Sequence, residues 1–149
     1  MSVNKDYEGF FECLNLHEVK YLIVGAYAVA YYTRPRFTKD IDILIETSVE
    51  NAKKAVAALK DFGFGDIGVS LEDLCDPNTI IQLGIAPNRI DIMCSIEGVE
   101  FDNIWQNRVK GKYGNQNVFF ISLDNLMKTK RAVGREQDKL DLKYLEKLK

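Results

Sequence analysis

The residues best suited to chemistry lie in "RFTKDIDILIE", Arg36 to Glu46, where Asp40 and Asp42 flank one isoleucine in a run that otherwise has the character of a buried strand. On a strand, successive side chains face opposite ways, so Ile41, Ile43 and Ile45 share one face and Asp40 and Asp42 share the other. Carboxylates held this close repel, raise one another's pKa and lose solvation on burial, so the pair needs a compensating cation. A divalent metal is the simplest one. Ligation by oxygen alone suits a hard ion, Mg²⁺ or Mn²⁺, rather than zinc. A second apolar run, "RIDIM", carries Asp91 in alternation with Ile90 and Ile92. If the two strands are neighbours, three carboxylates converge and can hold two magnesium ions about 3.5–4 Å apart, the clamp used for in-line displacement at phosphorus. Taken alone, Asp91 reads as a strand-end or edge residue; the Asp40–Asp42 pair does not.

The elements that must position these groups follow from periodicity and punctuation. A helix is predicted over about Tyr7 to Leu16, then a buried strand "KYLIVG" ending at Gly25, then an Ala/Tyr-rich helix "AYAVAYYT" stopped by Arg34-Pro35. Gly25 and Ala26 therefore form a small-residue turn between strand and helix, where backbone N–H groups and a helix N-terminus can face an anion. Lys39 to Ile45 is the second strand. Ser48 caps a helix "SVENAKKAVAALKDFG" with Val49, Ala52, Val56 and Leu59 at helical spacing and Gly63 beyond its end. "TIIQLGIAPNRIDIMCSI" reads as a hairpin joined by "APN", "FDNIWQNRV" as a short helix and "NVFFIS" as a strand. Two closing helices follow, the first capped by Ser122, the second with Leu140, Tyr144, Leu145 and Leu148 on one side. The expected class is α/β (α+β), a small mixed sheet backed by helices, as a single domain over residues 1–149.

Composition narrows the chemistry further. The 149 residues, 46% hydrophobic, supply apolar material for one core. Apolar runs are too short to span a bilayer and the N-terminus lacks a secretory pattern, so the expectation is a cytoplasmic protein with no membrane partner. Cys13, Cys75 and Cys94 are odd in number and widely spaced, which argues against a disulfide framework or a CxxC metal site. His17, the one histidine, lies in a polar turn before a strand, a capping or surface position rather than half of a nucleophilic pair. Charge is uneven: residues 108–149 hold 11 Lys/Arg against 5 Asp/Glu, the rest 9 against 17. A basic tail beside an acidic centre is either a solvated helix face or a wall suited to a polyanion.

Taken in order, Val24-Gly25-Ala26, a helix, Asp40-Ile41-Asp42-Ile43 and Asp91 on a later strand resemble the nucleotidyltransferase superfamily that includes DNA polymerase β and the aminoglycoside and tRNA nucleotidyltransferases. "YLIVGAYAVAYYTRPRFTKDIDI", with Arg36 and Thr38, and "LDNLMKTKRAVGREQDKLDLKYL", with Lys130, Arg135, Asp138 and Asp141, are similar to the small branch near the AbiEii-type toxins. The likeness spans roughly Tyr21 to Leu145. It implies transfer of a nucleoside monophosphate from an NTP, such as ATP, to a hydroxyl with release of pyrophosphate. It also implies Asp40 and Asp42 as ligands of a metal shared with the triphosphate. Asp91 would serve a second metal and take the incoming hydroxyl's proton. Gly25 and Ala26 would cradle phosphates, with Arg36, Thr38 and Lys130 around the triphosphate. Asp138 and Asp141 either hold Lys130 or Arg135 in place or form exposed helix pairs.

Two positions depart from the family pattern. Ala26 stands where Gly or Ser is usual, which removes a hydroxyl donor and predicts altered phosphate binding, and Gln137 stands where Lys is common. The acceptor is left open among RNA, protein and a small molecule, and a homodimer or a partner protein is expected to complete the cleft. Two other classes compete: a non-catalytic nucleotide-binding or interaction module of a toxin–antitoxin pair, and a nucleic-acid binder using the basic tail. The bulk acidity and the lack of an Arg/aromatic stacking platform weigh against the last.

Overall fold

The computed structural model describes residues 4–33, 40–63, 68–84 and 89–148. Helix α1 (Lys5–Leu16) starts where the Asn4 side chain accepts hydrogen bonds from the backbone N–H of Asp6 and Tyr7, and it buries Tyr7, Phe10, Phe11 and Leu14 at helical spacing. Strand β1 (Tyr21–Val24) is buried along its whole length. It runs directly into α2 (Gly25–Tyr32), after which β2 (Asp40–Ile45) returns antiparallel beside it. Helix α3 (Val49–Asp61) is capped by the Ser48 hydroxyl, and Gly63 beyond its end takes a positive φ. Its buried side is built from Ala52, Ala55, Ala58 and Leu59, whereas Val49 is exposed. A 3-10 turn (Asp73–Cys75) precedes β3 (Ile80–Leu83) and β4 (Arg89–Met93), an antiparallel pair as expected of the hairpin.

The sheet corrects one sequence expectation. Helix α4 (Phe101–Gln106) stops short, and Val109, expected at its end, opens strand β5 (Val109–Tyr113). This strand pairs antiparallel with β6 (Gln116–Phe120) through a Gly114-Asn115 turn in which Gly114 has φ +58°. Gly111 belongs in this strand for a packing reason: a Cβ there would lie 2.8 Å from the Phe120 ring. Among the described residues six strands form one sheet, ordered β3-β4-β2-β1-β6-β5, with β2 parallel to β4 and β1 parallel to β6.

Register and packing divide the two faces of the sheet. Tyr21, Ile23, Ile41, Ile43, Ile45, Ile90 and Ile92 share one face. The ring of Phe11 stacks on Tyr21 at 5.8 Å, so α1 covers that face, and Phe10 meets Phe62 at the end of α3 edge to face. Asp40, Asp42, Arg89 and Asp91 share the other face. The chain closes with α5 (Leu123–Val133), capped by Ser122 and ended by Gly134 in the left-handed conformation, and α6 (Glu136–Glu146). Of the apolar side expected on the last helix only Leu145 is buried; Leu140, Tyr144 and Leu148 are exposed. All three cysteines are free thiols, and His17 ends α1 and pairs with Asp61. Among the described residues no helix is long and apolar enough to cross a membrane.

Candidate active site

The two aspartate strands are adjacent. In the parallel β2–β4 register Asp42 lies opposite Asp91, and Asp40 lies opposite Arg89. Burial, then the charges of Asp91 and Asp40, push the Asp42 carboxyl up to about 6. This is the cost expected of crowded carboxylates, and it is only partly relieved by the positive charges of Arg89 and Lys130.

Arg89 answers part of the demand for a cation. Its Nη2 stands 3.0 Å from Asp40 Oδ2 and donates to Asp91 Oδ2 at 3.2 Å, while its Nε is 3.1 Å from Asp91 Oδ1. That last contact is close but poorly aligned, so Nε and Asp91 Oδ1 are both buried without a hydrogen-bond partner. Among the described residues no three Asp, Glu, His or Cys side chains are arranged as they stand to hold a metal ion. The donor chemistry nevertheless fits one. Three carboxylates face one guanidinium, a deficit of two positive charges, and one Asp91 oxygen is ion-paired but receives no hydrogen bond.

Gly25 is bound to this centre by geometry. Val24 lies opposite Asp42, and Gly25 turns the chain into α2 with φ +70°. A Cβ added there would stand 3.0 Å from the Asp42 carboxyl carbon and overlap its Oδ2. Only glycine satisfies both the backbone and the contact. Helix α2 carries no side-chain cap at its N-terminus, and Ala26 in its first turn is half-buried. Arg36 and Thr38 lie outside the described residues.

Lys130 is not a solvent-facing tail cation. It is 8% exposed, and its Nζ pairs with Asp138 Oδ1 and Asp141 Oδ2, each at 3.2 Å. Both aspartates are 1% exposed, so the alternative of surface helix pairs is excluded. Asp138 also accepts from Arg135 Nε at 2.9 Å, and this bond is the main reason its carboxyl is held down at about 2. Gln137 Nε2 donates to Asp141 Oδ1 at 2.9 Å, a neutral donor within a network already rich in cations.

Two residues escaped the sequence reading. Arg89 shares the alternation of Asp91, but its partners depend on which strand lies alongside. Tyr7 donates its hydroxyl to the Arg89 carbonyl at 3.1 Å, and its phenol is pushed up to about 12 by burial and then by Asp40. A stacking platform of the kind the sequence did not suggest also exists: Arg108 lies 3.9 Å over Trp105 and 4.9 Å over Phe119.

Paired strand carboxylates beside a glycine strand-to-helix turn thus sit on one face of a mixed sheet. Among solved structures the chain is similar to the lincosamide antibiotic adenylyltransferase LnuA, a crystal structure with lincomycin bound, at a TM-score of 0.57 and 15% sequence identity, with 100% of each chain covered. At that identity the likeness establishes the fold. No protein-family model matches the chain, and no curated protein sequence matches it either.

Proposed function

We propose that the protein is a metal-dependent nucleotidyltransferase that moves a nucleoside monophosphate from an NTP to a hydroxyl acceptor. The observation that carries this reading is the facing of Asp42 and Asp91 across β2 and β4 with Gly25 against Asp42. Oxygen donors and a deficit of positive charge suit Mg²⁺ or Mn²⁺, held by Asp40, Asp42 and Asp91. When bound, such an ion neutralises phosphate charge and orients the α-phosphorus. The small branch near the AbiEii-type toxins belongs to the same proposal.

The chain's own groups do the rest. The uncapped N–H groups of Gly25 and Ala26 bind phosphate oxygens, and the rigid sheet fixes the carboxylates relative to them. Lys130, clamped by Asp138 and Asp141, supplies a fixed positive charge near Asp42 rather than a mobile arm. The resemblance adds Arg36 and Thr38 as candidate triphosphate-binding residues. In the reaction the acceptor oxygen forms a bond to the α-phosphorus, the bond to the bridging oxygen breaks and pyrophosphate leaves. The hydroxyl's proton passes to Asp91, whose Oδ1 has no hydrogen-bond donor.

A second reading, a non-catalytic nucleotide-binding or interaction module, has one observation in its favour: the Arg89 clamp gives Asp40 and Asp91 a resident cation. Calorimetry separates the two. NTP binding that requires Mg²⁺ or Mn²⁺ and disappears in EDTA is expected of the transferase; tight binding indifferent to metal would favour the module.

A further inference from the structure

We infer that Arg89 is a built-in counter-ion that occupies the dication's place in the metal-free protein and must leave when metal binds. The inference rests on the proposed reading of Asp40 and Asp91 as metal ligands.

The oxygens that Arg89 holds are those a hard cation would need. Its guanidinium reaches Asp40 Oδ2 at 3.0 Å and both oxygens of Asp91, at 3.1 and 3.2 Å. A guanidinium and a dication compete for these oxygens, and holding both there would set like charges side by side. Position explains the reach: Arg89 lies opposite Asp40 in the β2–β4 register and two residues before Asp91 on the same face. A planar fork can bridge two carboxylates where an ammonium could not.

The clamp is also built to release. Nε and Asp91 Oδ1 are buried 3.1 Å apart without hydrogen-bond alignment, so the pair is only partly satisfied. The Arg89 side chain is 34% exposed, which lets it swing to solvent without disturbing the core.

Two consequences follow. Metal alone must compete with a resident cation and therefore binds weakly. Triphosphate offers the displaced guanidinium a new anionic partner, so metal and nucleotide bind with positive coupling, each strengthening the other by the same factor.

The test is Mn²⁺ titration of the nucleotide-free full chain, followed by calorimetry and by thermal melting, for wild type and Arg89→Met, which keeps the stem and removes the charge. The variant is expected to bind Mn²⁺ at least tenfold more tightly and to melt lower than wild type without metal, with Mn²⁺ restoring the difference. The strengthening of Mn²⁺ binding by ATP should be smaller in the variant than in wild type. If Arg89→Met does not fold, Arg89→Lys takes its place, with an affinity gain of lesser size. Unchanged or weaker Mn²⁺ affinity in the folded variant, while wild type binds Mn²⁺ with ATP, overturns the counter-ion role alone. Absence of Mn²⁺ binding in every protein, with or without ATP, overturns the metal site itself and this inference with it.

Discussion

Gly25 and Asp42 occupy adjoining space at the end of β1, so close that a methyl group on Gly25 would overlap the Asp42 carboxylate. The turn proposed to bind phosphate and the carboxylate proposed to bind metal are thus one packed unit. Neither can shift without the other.

Gly25→Ala is therefore expected to fail twice. The alanine must adopt φ near +70° and also displace Asp42. The backbone strain alone costs about 1–3 kcal/mol. Urea denaturation should show the loss, and Mg·NTP binding should fall even where the protein remains folded. A variant with wild-type stability and nucleotide affinity would disprove the packing argument.

Asp42 carries a pH signature. Its folded-state pKa is raised from 3.8 to about 6, so this group favours folding most below pH 4 and that advantage is lost as pH rises through 6. Asp42→Asn should stabilise the metal-free protein near pH 7 by up to about 3 kcal/mol, a figure that follows from roughly two pKa units. The gain should vanish below pH 4. Denaturation midpoints of both proteins from pH 4 to 8, in EDTA, provide the measurement; parallel curves would contradict a carboxyl raised by burial and repulsion.

Lys130 is expected to matter first for folding. Removing it leaves Asp138 and Asp141 buried with less compensation, a loss of about 3–5 kcal/mol for a broken buried pair. Lys147→Ala, on the last turn of the chain, should lie within about 0.5 kcal/mol of wild type. Equal effects in chemical denaturation would mean that the network is not coupled to the fold. A Lys130/Asp141 double-mutant cycle should return a coupling energy of about 0.5–3 kcal/mol.

The parts of this site legible in the sequence were those governed by local period. Alternation in "DIDIL" placed Asp40 and Asp42 on one face, and a glycine between strand and helix marked the turn. Asp91 was legible only on the condition that its strand lay beside β2. Arg89 was not, because its partners are set by register, a tertiary property. That Asp138 and Asp141 hold Lys130 was one of the two readings of the tail, but the burial of all three was not legible, since lysine is rarely buried and α6 turns these aspartates inward and Leu140 and Tyr144 outward. Strand β5 was hidden because Lys110, Gly111 and Lys112 lack strand character; the Phe120 ring supplies the reason for the glycine. The Gly114-Asn115 pair was the available signal for that hairpin.

Nucleotidyl transfer by the Asp42–Asp91 centre is tested most directly by labelling. The protein is incubated with Mg²⁺ and each α-³²P-labelled NTP, alone and with total RNA or cell extract, and label joined to RNA, protein or a small molecule is measured. Wild type should transfer label from at least one NTP. Asp42→Asn should lose both Mg·NTP binding and transfer, whereas Asp91→Asn should keep binding and lose transfer. Label incorporated equally by all three proteins, or by none under any condition, would contradict the account.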